Sequence, residues 1–356
     1  MTKITKLFAV VVSSLLVSVQ AFAGELAVSG SAKASYAING GDSNSTGLGV
    51  SNELMFKASG ELDNGFTWNY HMELDGNDGG AHDNDDTAIT IGMNSAGTIG
   101  IFDSEGGLST ETGVGTGALG VGDDFANTDA MVGNDIDVSS YPNVQYHTPA
   151  DVIPFGISAK VGYAPNTADG DNNDYKNGGA ENAQGADGDS AIHYNVTAAP
   201  VDGLSIGADY ITFENSSGVV AQDQEAGGAY ASYAMGSFKV GYGERWYAPG
   251  IGDKVSAGAH SYELEQIGIE FAVNDQLSIS YMEEESTVKN YGAAADAAAG
   301  ATPFTRTEVT MASDYIQAAY DIGGATVGVA NVDTSNSGYT QGTDGTLTIL
   351  SLALSF

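Results

Sequence analysis

Polar and apolar side chains alternate along most of this chain, beginning with residues 25–38 (ELAVSGSAKASYAI). In that stretch Leu26 and Tyr36 share one parity with small apolar residues, while serines and a lysine occupy the other. The stretches 53–62 and 66–75 alternate in the same way, and the Asp-Asn-Gly sequence between them predicts a tight hairpin. A period of two residues is typical of β-strands with one apolar and one polar face. The pattern therefore predicts an all-β fold.

Sixteen stretches carry this alternation to the end of the chain. They are 25–38, 53–62, 66–75, 87–94, 97–104, 143–148, 155–164, 190–198, 204–214, 227–235, 237–247, 261–273, 277–287, 306–321, 325–334 and 346–356. Short connections alternate with long polar ones, as in membrane barrels with short periplasmic turns and long external loops. About 9–11 residues carry a tilted strand across a bilayer, which fits these lengths. We therefore predict an antiparallel transmembrane β-barrel of about 16 strands around a water-filled lumen.

A soluble β-sandwich would also alternate, but so many strands would then need two sheets and more compact connections. A membrane barrel has to close, because an open sheet would leave unpaired backbone groups in hydrocarbon. The stretch 346–356 is therefore expected beside 25–38. Large apolar side chains of the strands should then face the lipid, namely Leu54, Phe56, Phe66, Trp68, Tyr70, Leu350, Leu352, Leu354 and Phe356.

The first 23 residues have the pattern of a secretory signal peptide. Lys3 and Lys6 precede an apolar run over residues 7–19, and Ala-Phe-Ala at 21–23 forms a small-x-small cleavage site. The run is too short to span a bilayer as a helix, which takes about 20 residues. We predict cleavage after residue 23, export from the cytoplasm, and a single barrel domain over residues 24–356.

Composition narrows the classes of function. The chain has 46 acidic and 11 basic residues, with a formal net charge of -35 at pH 7. Such a balance excludes a basic nucleic-acid-binding surface and disfavours long-range attraction of anions. The absence of cysteine removes disulfides and thiol chemistry. The five histidines show no zinc-binding spacing, and the sequence identifies no catalytic set, so a non-enzymatic protein is predicted.

The longest connection, residues 105–142, has no recognisable strand or helix pattern. It holds eight glycines and seven acidic residues and has neither lysine nor arginine. Loops of more than about 12–15 residues are uncommon in compact domains and are usually functional or disordered. Composition alone does not decide whether this loop stays outside the barrel or folds into it.

The chain resembles the general diffusion porins of Gram-negative outer membranes, particularly the sixteen-stranded alphaproteobacterial type. The resemblance covers residues 1–356. It rests on the targeting segment, the strand ELAVSGSAKASY, the hairpin ELDNGFTWNYHMEL, the loop after the fifth strand, and the closing LTILSLALSF. It implies that the loop 105–142 folds into the lumen and constricts it, and that the terminal Phe356 serves barrel assembly. Relatives often carry an arginine cluster opposite this loop, whereas this chain has only Arg245 and Arg306.

An inward loop would bring carboxylates to the constriction, and the opposing cations would have to come from the strand walls. The candidate constriction acids are Glu105, Glu111, Asp123, Asp124 and Asp129. The candidate basic residues of the pore wall, all on the polar parity, are Lys33, Lys57, Lys160, Lys239 and Arg245. Because acids greatly outnumber bases, we predict a preference for cations that weakens as salt rises.

The resemblance also implies that three barrels associate in the outer-membrane lipid. On the first strand, the outward parity offers Gly30, Ala32 and Ala34, which are poor lipid-facing residues but allow close backbone approach. We therefore expect this side of the barrel to pack against a neighbour in a homotrimer. A thin patch that simply faces lipid is the alternative.

The predicted function is passive diffusion of small hydrophilic solutes and ions across the outer membrane, without a cofactor. Two alternatives stay open: a channel dedicated to one solute class, and a structural or adhesive barrel with a plugged lumen. The acidic runs 83–86 and 169–174 resemble calcium-binding sequences, so weak Ca²⁺ binding by the loops is an alternative to plain solvation. The second run lacks the glycine and the final glutamate of an EF-hand loop.

Overall fold

A computed structural model describes residues 25–41, 45–76, 82–103, 105–116, 136–149, 152–167, 190–214, 222–251, 258–291 and 306–356. In these residues the chain forms sixteen β-strands. They are β1 (Glu25–Gly41), β2 (Ser45–Glu61), β3 (Thr67–Gly76), β4 (His82–Gly92), β5 (Thr98–Asp103), β6 (Asn143–His147), β7 (Ser158–Ala164), β8 (Ser190–Ala198), β9 (Leu204–Glu214), β10 (Glu225–Met235), β11 (Phe238–Ala248), β12 (Gly258–Ala272), β13 (Leu277–Tyr291), β14 (Arg306–Asp321), β15 (Ala325–Ser335) and β16 (Gly345–Ser355). The predicted signal peptide lies outside the described residues and stays a prediction.

The sixteen strands of the described residues form one closed barrel whose strand order follows the chain order. The closing pair is antiparallel and sets Ala34 opposite Leu352 and Tyr36 opposite Leu350. Backbone hydrogen bonds of 2.8 and 3.0 Å between Gly30 and Phe356 extend this pairing to the last residue. Closure pairs the two edges that an open sheet would expose to hydrocarbon. The predicted fold class is confirmed.

The apolar parity of the strands faces outward, as predicted. Leu350 is 50% exposed, Leu54 is 38% exposed and the terminal Phe356 is 69% exposed. Trp68 and Tyr70 lie on the same face of β3, since they pair with outward positions of β2. Such side chains belong to a surface that is covered by lipid rather than by a protein core.

Several strands extend beyond their predicted bounds at the ends that adjoin the long loops. β2 begins at Ser45 rather than at residue 53, and its outward Leu48 and Val50 are 80% and 67% exposed. β13 likewise continues to Tyr291. On the outward parity of this end of β2, Thr46 and Asn52 interrupt the apolar residues Leu48 and Val50. The alternation is therefore weaker there although the backbone pairing continues.

The hairpin between β2 and β3 turns at residues 62–66. Gly65 adopts a φ of 78°, which favours glycine, and the Phe66 amide donates to the Asn64 side chain at 3.0 Å. The predicted turn at this position is confirmed. In the part of the chain that the structure describes, no helix combines the length and apolarity needed to cross a bilayer.

Candidate functional site

Both described ends of the long loop, residues 105–116 and 136–142, lie against the inner wall of the barrel. Their Leu108 and Val138 are buried in a cluster with Ala164 of β7, Ala191 of β8, Ile211 and Phe213 of β9, and Ala226 of β10. These wall residues have the lumen-facing parity of their strands. For the described residues the prediction of an inward-folded loop is therefore confirmed.

Glycines on the inner wall let the loop backbone approach closely. A Cβ atom on Gly241 of β11 would lie 2.6 Å from the carbonyl oxygen of Val114, and one on Gly162 of β7 would lie 3.0 Å from Val138. On β12, Gly268 faces Thr116 in the same way. Larger residues at these wall positions would push the loop toward the lumen. We call Gly162, Gly241 and Gly268, which leave room for the loop backbone on β7, β11 and β12, the glycine bed.

Asp137 holds the two ends of the loop together. Its carboxylate accepts hydrogen bonds from the backbone amides of Leu108 (2.8 Å) and Ser139 (3.1 Å) and lies 3.3 Å from Nδ1 of His193 on β8. Burial alone would raise the pKa of this carboxyl, but the hydrogen bond and charge of His193, with the backbone donors, outweigh burial and lower the pKa. Asp137 is therefore a stable anionic anchor.

A second carboxylate, Asp209 of β9, fastens the loop to the wall. It accepts from Nη1 of Arg245 at 2.8 Å and lies 3.1 Å from Nε2 of His193. It also accepts from the backbone amide of Thr110 at 2.9 Å and from the Thr110 hydroxyl. The side chains of His193 and Asp209 have no exposed surface, and that of Arg245 is 3% exposed. We call Asp137, Asp209, His193, Arg245 and Thr110 the loop anchor.

Amide side chains of the wall satisfy the loop carbonyls around the anchor. Asn195 of β8 donates to the Leu108 carbonyl at 2.8 Å, and Asn143 donates to the Glu105 carbonyl at 3.1 Å. Gln145 of β6 donates to Gly106. Irregular backbone inside a barrel carries polar groups that need partners, and these amides provide them. The loop is thus held by polar contacts as well as by apolar packing.

The predicted basic residues divide into two groups. Lys239 donates to the Gly115 carbonyl at 2.5 Å, so it binds the loop itself. Arg245 lies on the inner wall, as predicted, but the loop covers it, and its charge is used in the ion pair with Asp209 rather than in the open lumen. Lys33 and Lys57 lie on β1 and β2, about halfway around the closed strand order from the anchor on β9. Lys160 lies half-buried on β7.

Of the five predicted constriction acids, two lie among the residues that the structure describes. Glu105 is half-buried and lies 3.2 Å from Nε2 of His71 on β3. Glu111 begins the short 3₁₀ helix Glu111–Val114, which packs against β11. Asp123, Asp124 and Asp129 lie outside the described residues. Their place at the constriction stays a prediction.

Sequence reasoning did not single out Asp209, Thr110 or His193 as residues that hold the loop. A carboxylate on the polar parity of a strand has the same pattern whether it faces water or a buried arginine. Asp209 is 99 residues from Thr110, and barrel closure rather than local sequence brings them together. The one usable signal was the occurrence of His193 and Arg245 on inward parities.

Among the described residues no group of three or more metal-ligating side chains is arranged to hold a metal ion. The acidic run 169–174 is not among those residues, and the side chains of 83–85 are not described either. Calcium binding by these loops therefore stays an untested alternative.

The sequence also matches a family model. The model of the Gram-negative porin family matches residues 8–302, and the chain belongs to this family. Together with the closed barrel, this makes the protein an outer-membrane diffusion channel. No curated protein sequence matches the chain significantly.

Solved structures with the same fold include three outer-membrane proteins. The anion-selective porin from Comamonas acidovorans is 13% identical with a TM-score of 0.65, over 94% of this chain and 100% of that one. OmpT of Vibrio cholerae in its trimer form is 12% identical with a TM-score of 0.64, over 94% and 100% of the two chains. OmpF of Salmonella typhi in complex with daunomycin is 11% identical with a TM-score of 0.59, over 94% and 98%. At these identities the similarity shows the fold alone.

Proposed function

We propose that this protein is a passive, non-enzymatic channel through which small hydrophilic solutes and ions cross the outer membrane, with a preference for cations. The observation that carries the proposal is the fastening of an acidic loop to one side of the inner wall. Solutes then pass between this loop and the opposite wall. Selection by size and by charge at such a narrowing needs neither a cofactor nor an energy source.

The distribution of charge supports a transverse field in the lumen. Near the loop anchor the loop carries Glu111, while Arg245 and Lys239 on that side are paired with Asp209 or bound to the loop. Lys33 and Lys57 lie on β1 and β2, about halfway around the strand order from the anchor. Glu105 belongs to neither side of this pair, because it contacts His71, the β3 residue that is paired with Lys57. Charges that face each other across a narrow, poorly screened gap orient dipolar solutes and disfavour apolar ones. The chain's acidic excess then sets the net preference for cations.

The fold itself does not fix the sign of the selectivity, since an anion-selective porin has the same architecture. The sign has to follow from the charges of the individual chain. Here 46 acidic residues stand against 11 basic ones. Two of the basic residues, Lys239 and Arg245, are already bound to the loop or to Asp209. The remaining balance favours cations.

Planar-bilayer recording separates the channel from a plugged structural barrel. We expect purified protein to produce stable, uniform conductance steps whose size rises with bulk conductivity. A barrel that inserts, as shown by protease protection of the membrane-embedded part, yet stays silent would be a plugged barrel. Competition of one solute class with the ion current, at concentrations where others have no effect, would identify a dedicated channel.

We also propose that the protein forms a homotrimer through the side that contains β1. Its outward Ala32 and Ala34 offer little apolar surface to lipid, and one structurally similar outer-membrane protein has been solved in a trimer form. Gly30 serves another purpose, because a Cβ atom there would lie 2.8 Å from the ring of Phe356. Ala32→Trp with Ala34→Trp should therefore dissociate the oligomer on a native gel, whereas Val240→Trp on β11 should not. A persistent trimer band in the alanine variant would exclude this interface.

A further inference from the structure

Aromatic side chains form a continuous band on the inner wall, above the loop anchor. Tyr141 meets Phe213 edge-on with ring centroids 6.2 Å apart, and both belong to the packing that includes Tyr247. Tyr247 stacks on Tyr262 with centroids 5.8 Å apart, and Tyr262 meets Tyr339 at 5.5 Å. These five residues are called the aromatic band. They connect the long loop to the loop between β15 and β16.

The band lies at the external entrance. Phe213 and Tyr247 are near the last residues of β9 and β11, which run away from the short turns, and Tyr262 is near the first residue of β12. Tyr247 has the same inward parity as Arg245. Arg245 is two residues farther from the end of β11 and so lies closer to the middle of the barrel. A solute that enters from outside therefore meets the band before it reaches the loop anchor.

The tyrosines of the band are not sealed in a core. Phe213 is buried, with 7% of its surface exposed. The four tyrosines are half-buried, namely Tyr141, Tyr247, Tyr262 and Tyr339. Because Tyr247 and Tyr262 have the lumen-facing parity of β11 and β12, part of the aromatic surface borders the solute path. Aromatic faces carry negative quadrupole charge and attract cations, most strongly those that shed water easily.

We infer that the aromatic band is a binding site for organic cations that carry alkylammonium or quaternary ammonium groups. Two observations converge: the half-buried tyrosine surface, and a formal net charge of -35 that concentrates cations in and around the pore. A neutral sugar would gain stacking from the rings but no electrostatic concentration. An organic anion would be repelled. The inference rests on the proposed cation preference and adds a solute class to it.

The same rings also have a structural role, which the test has to separate. The hydroxyl of Tyr339 lies 2.7 Å from the Ser286 hydroxyl, and Asn336 of the same loop donates to the Thr310 carbonyl at 2.8 Å. Substitution of Tyr339 would therefore disturb the loop as well as the band. Tyr247 and Tyr262 lie on strands whose backbone pairing does not depend on their rings. They are the residues to substitute.

The experiment measures block of the potassium chloride current by added choline chloride in planar bilayers. Wild-type channels should show a current reduction that saturates with choline concentration. Tyr247→Leu with Tyr262→Leu should raise the half-blocking concentration about 5- to 30-fold, because each exposed cation–π contact contributes about 0.5–1 kcal/mol. Tyr247→Phe with Tyr262→Phe keeps both rings and should stay within about 3-fold of wild type. Tyr320→Leu, on the outer face of β14, is the matched control and should change nothing.

Three results would overturn the inference: an undiminished choline block in the double leucine variant, a loss of block in the phenylalanine variant equal to that in the leucine variant, or an equal block by glucose. The current in potassium chloride alone reports whether each variant forms a pore. If the double leucine variant does not insert, Tyr262→Leu alone decides, with an expected shift of about 2- to 5-fold. Reversal potentials without choline test the cation preference separately, so either idea can fail while the other stands.

Discussion

Asp209→Asn is the substitution that tests the loop anchor most sharply. It keeps the shape of the side chain and removes the negative charge. The wild-type carboxylate accepts from Arg245, lies within hydrogen-bonding distance of His193, and accepts twice from Thr110. In the variant the buried Arg245 would lose its ionic partner. The loop would then be held by Asp137, by Lys239 and the wall amides such as Asn195, and by apolar packing.

The size of the effect follows from the burial of the ion pair. Removal of one partner of a buried ion pair costs about 3–5 kcal/mol, because the other charge stays desolvated. Asparagine can still accept one hydrogen bond, so the lower end of that range applies. A change of about 3 kcal/mol shifts the equilibrium between attached and detached loop by a factor of about 100 or more. The barrel strands themselves are not part of this equilibrium.

Single-channel recording reports loop attachment, and electrophoretic mobility after heating reports the barrel. We expect Asp209→Asn to show frequent current fluctuations and a broad distribution of conductance levels, at an unchanged unfolding temperature of the barrel. Asp202→Asn is the matched control, since Asp202 is exposed in the turn that precedes β9. It should behave as wild type.

A quiet, uniform conductance in Asp209→Asn would refute the anchor. The charge explanation can be tested further with Arg245→Met added to Asp209→Asn. Removal of the unpaired cation should restore part of the lost attachment, since a buried lone charge costs more than an apolar replacement of the pair. If the double variant fluctuates more than Asp209→Asn, the loss would instead reflect packing around residue 245.

Two further predictions concern the same loop. The pKa of Asp137 is lowered below 3.8, so its contribution to loop attachment is complete above that pH and is lost as the pH falls through the lowered value. Channels should therefore stay quiet from pH 7 to about 4 and fluctuate only under more acidic conditions; fluctuation that begins at pH 5 would contradict this. Gly241→Leu should displace the loop, since a Cβ atom would lie 2.6 Å from the Val114 carbonyl oxygen, whereas Gly49→Leu, with no atom within 4 Å of its Cβ position, should not. Equal unit conductance in the two glycine variants would argue against the glycine bed.

The barrel could be predicted from the sequence because each strand separates lipid from water along its length. This constraint repeats every two residues, as at Leu350 and Leu352, and it holds wherever the strand is in the membrane. The pattern is weaker toward the ends that adjoin the long loops. The first eight residues of β2 were missed because Thr46 and Asn52 interrupt the outward face that Leu48 and Val50 continue.

The loop anchor could not be predicted in the same way. Arg245 and Asp209 each have the parity of lumen-lining residues, and nothing local shows that a loop covers them. Their pairing depends on which wall the loop lies against, which is set by contacts such as that between Val114 and Gly241. The glycine of that contact is one of 49 in the chain, so it did not stand out. The sequence showed which residues are charged and face inward, but it did not show that Arg245 and Asp209 would be paired beneath the loop.

The reversal potential under a potassium chloride gradient tests the central claim most directly. Wild-type channels should show the sign of a cation-preferring pore at low salt, with the preference falling toward 1 M, where the Debye length is about 3 Å. Lys33→Glu with Lys57→Glu, which makes the wall opposite the loop anchor acidic, should deepen that preference. A wild-type pore that prefers anions would contradict the account, as would a lysine variant with unchanged selectivity.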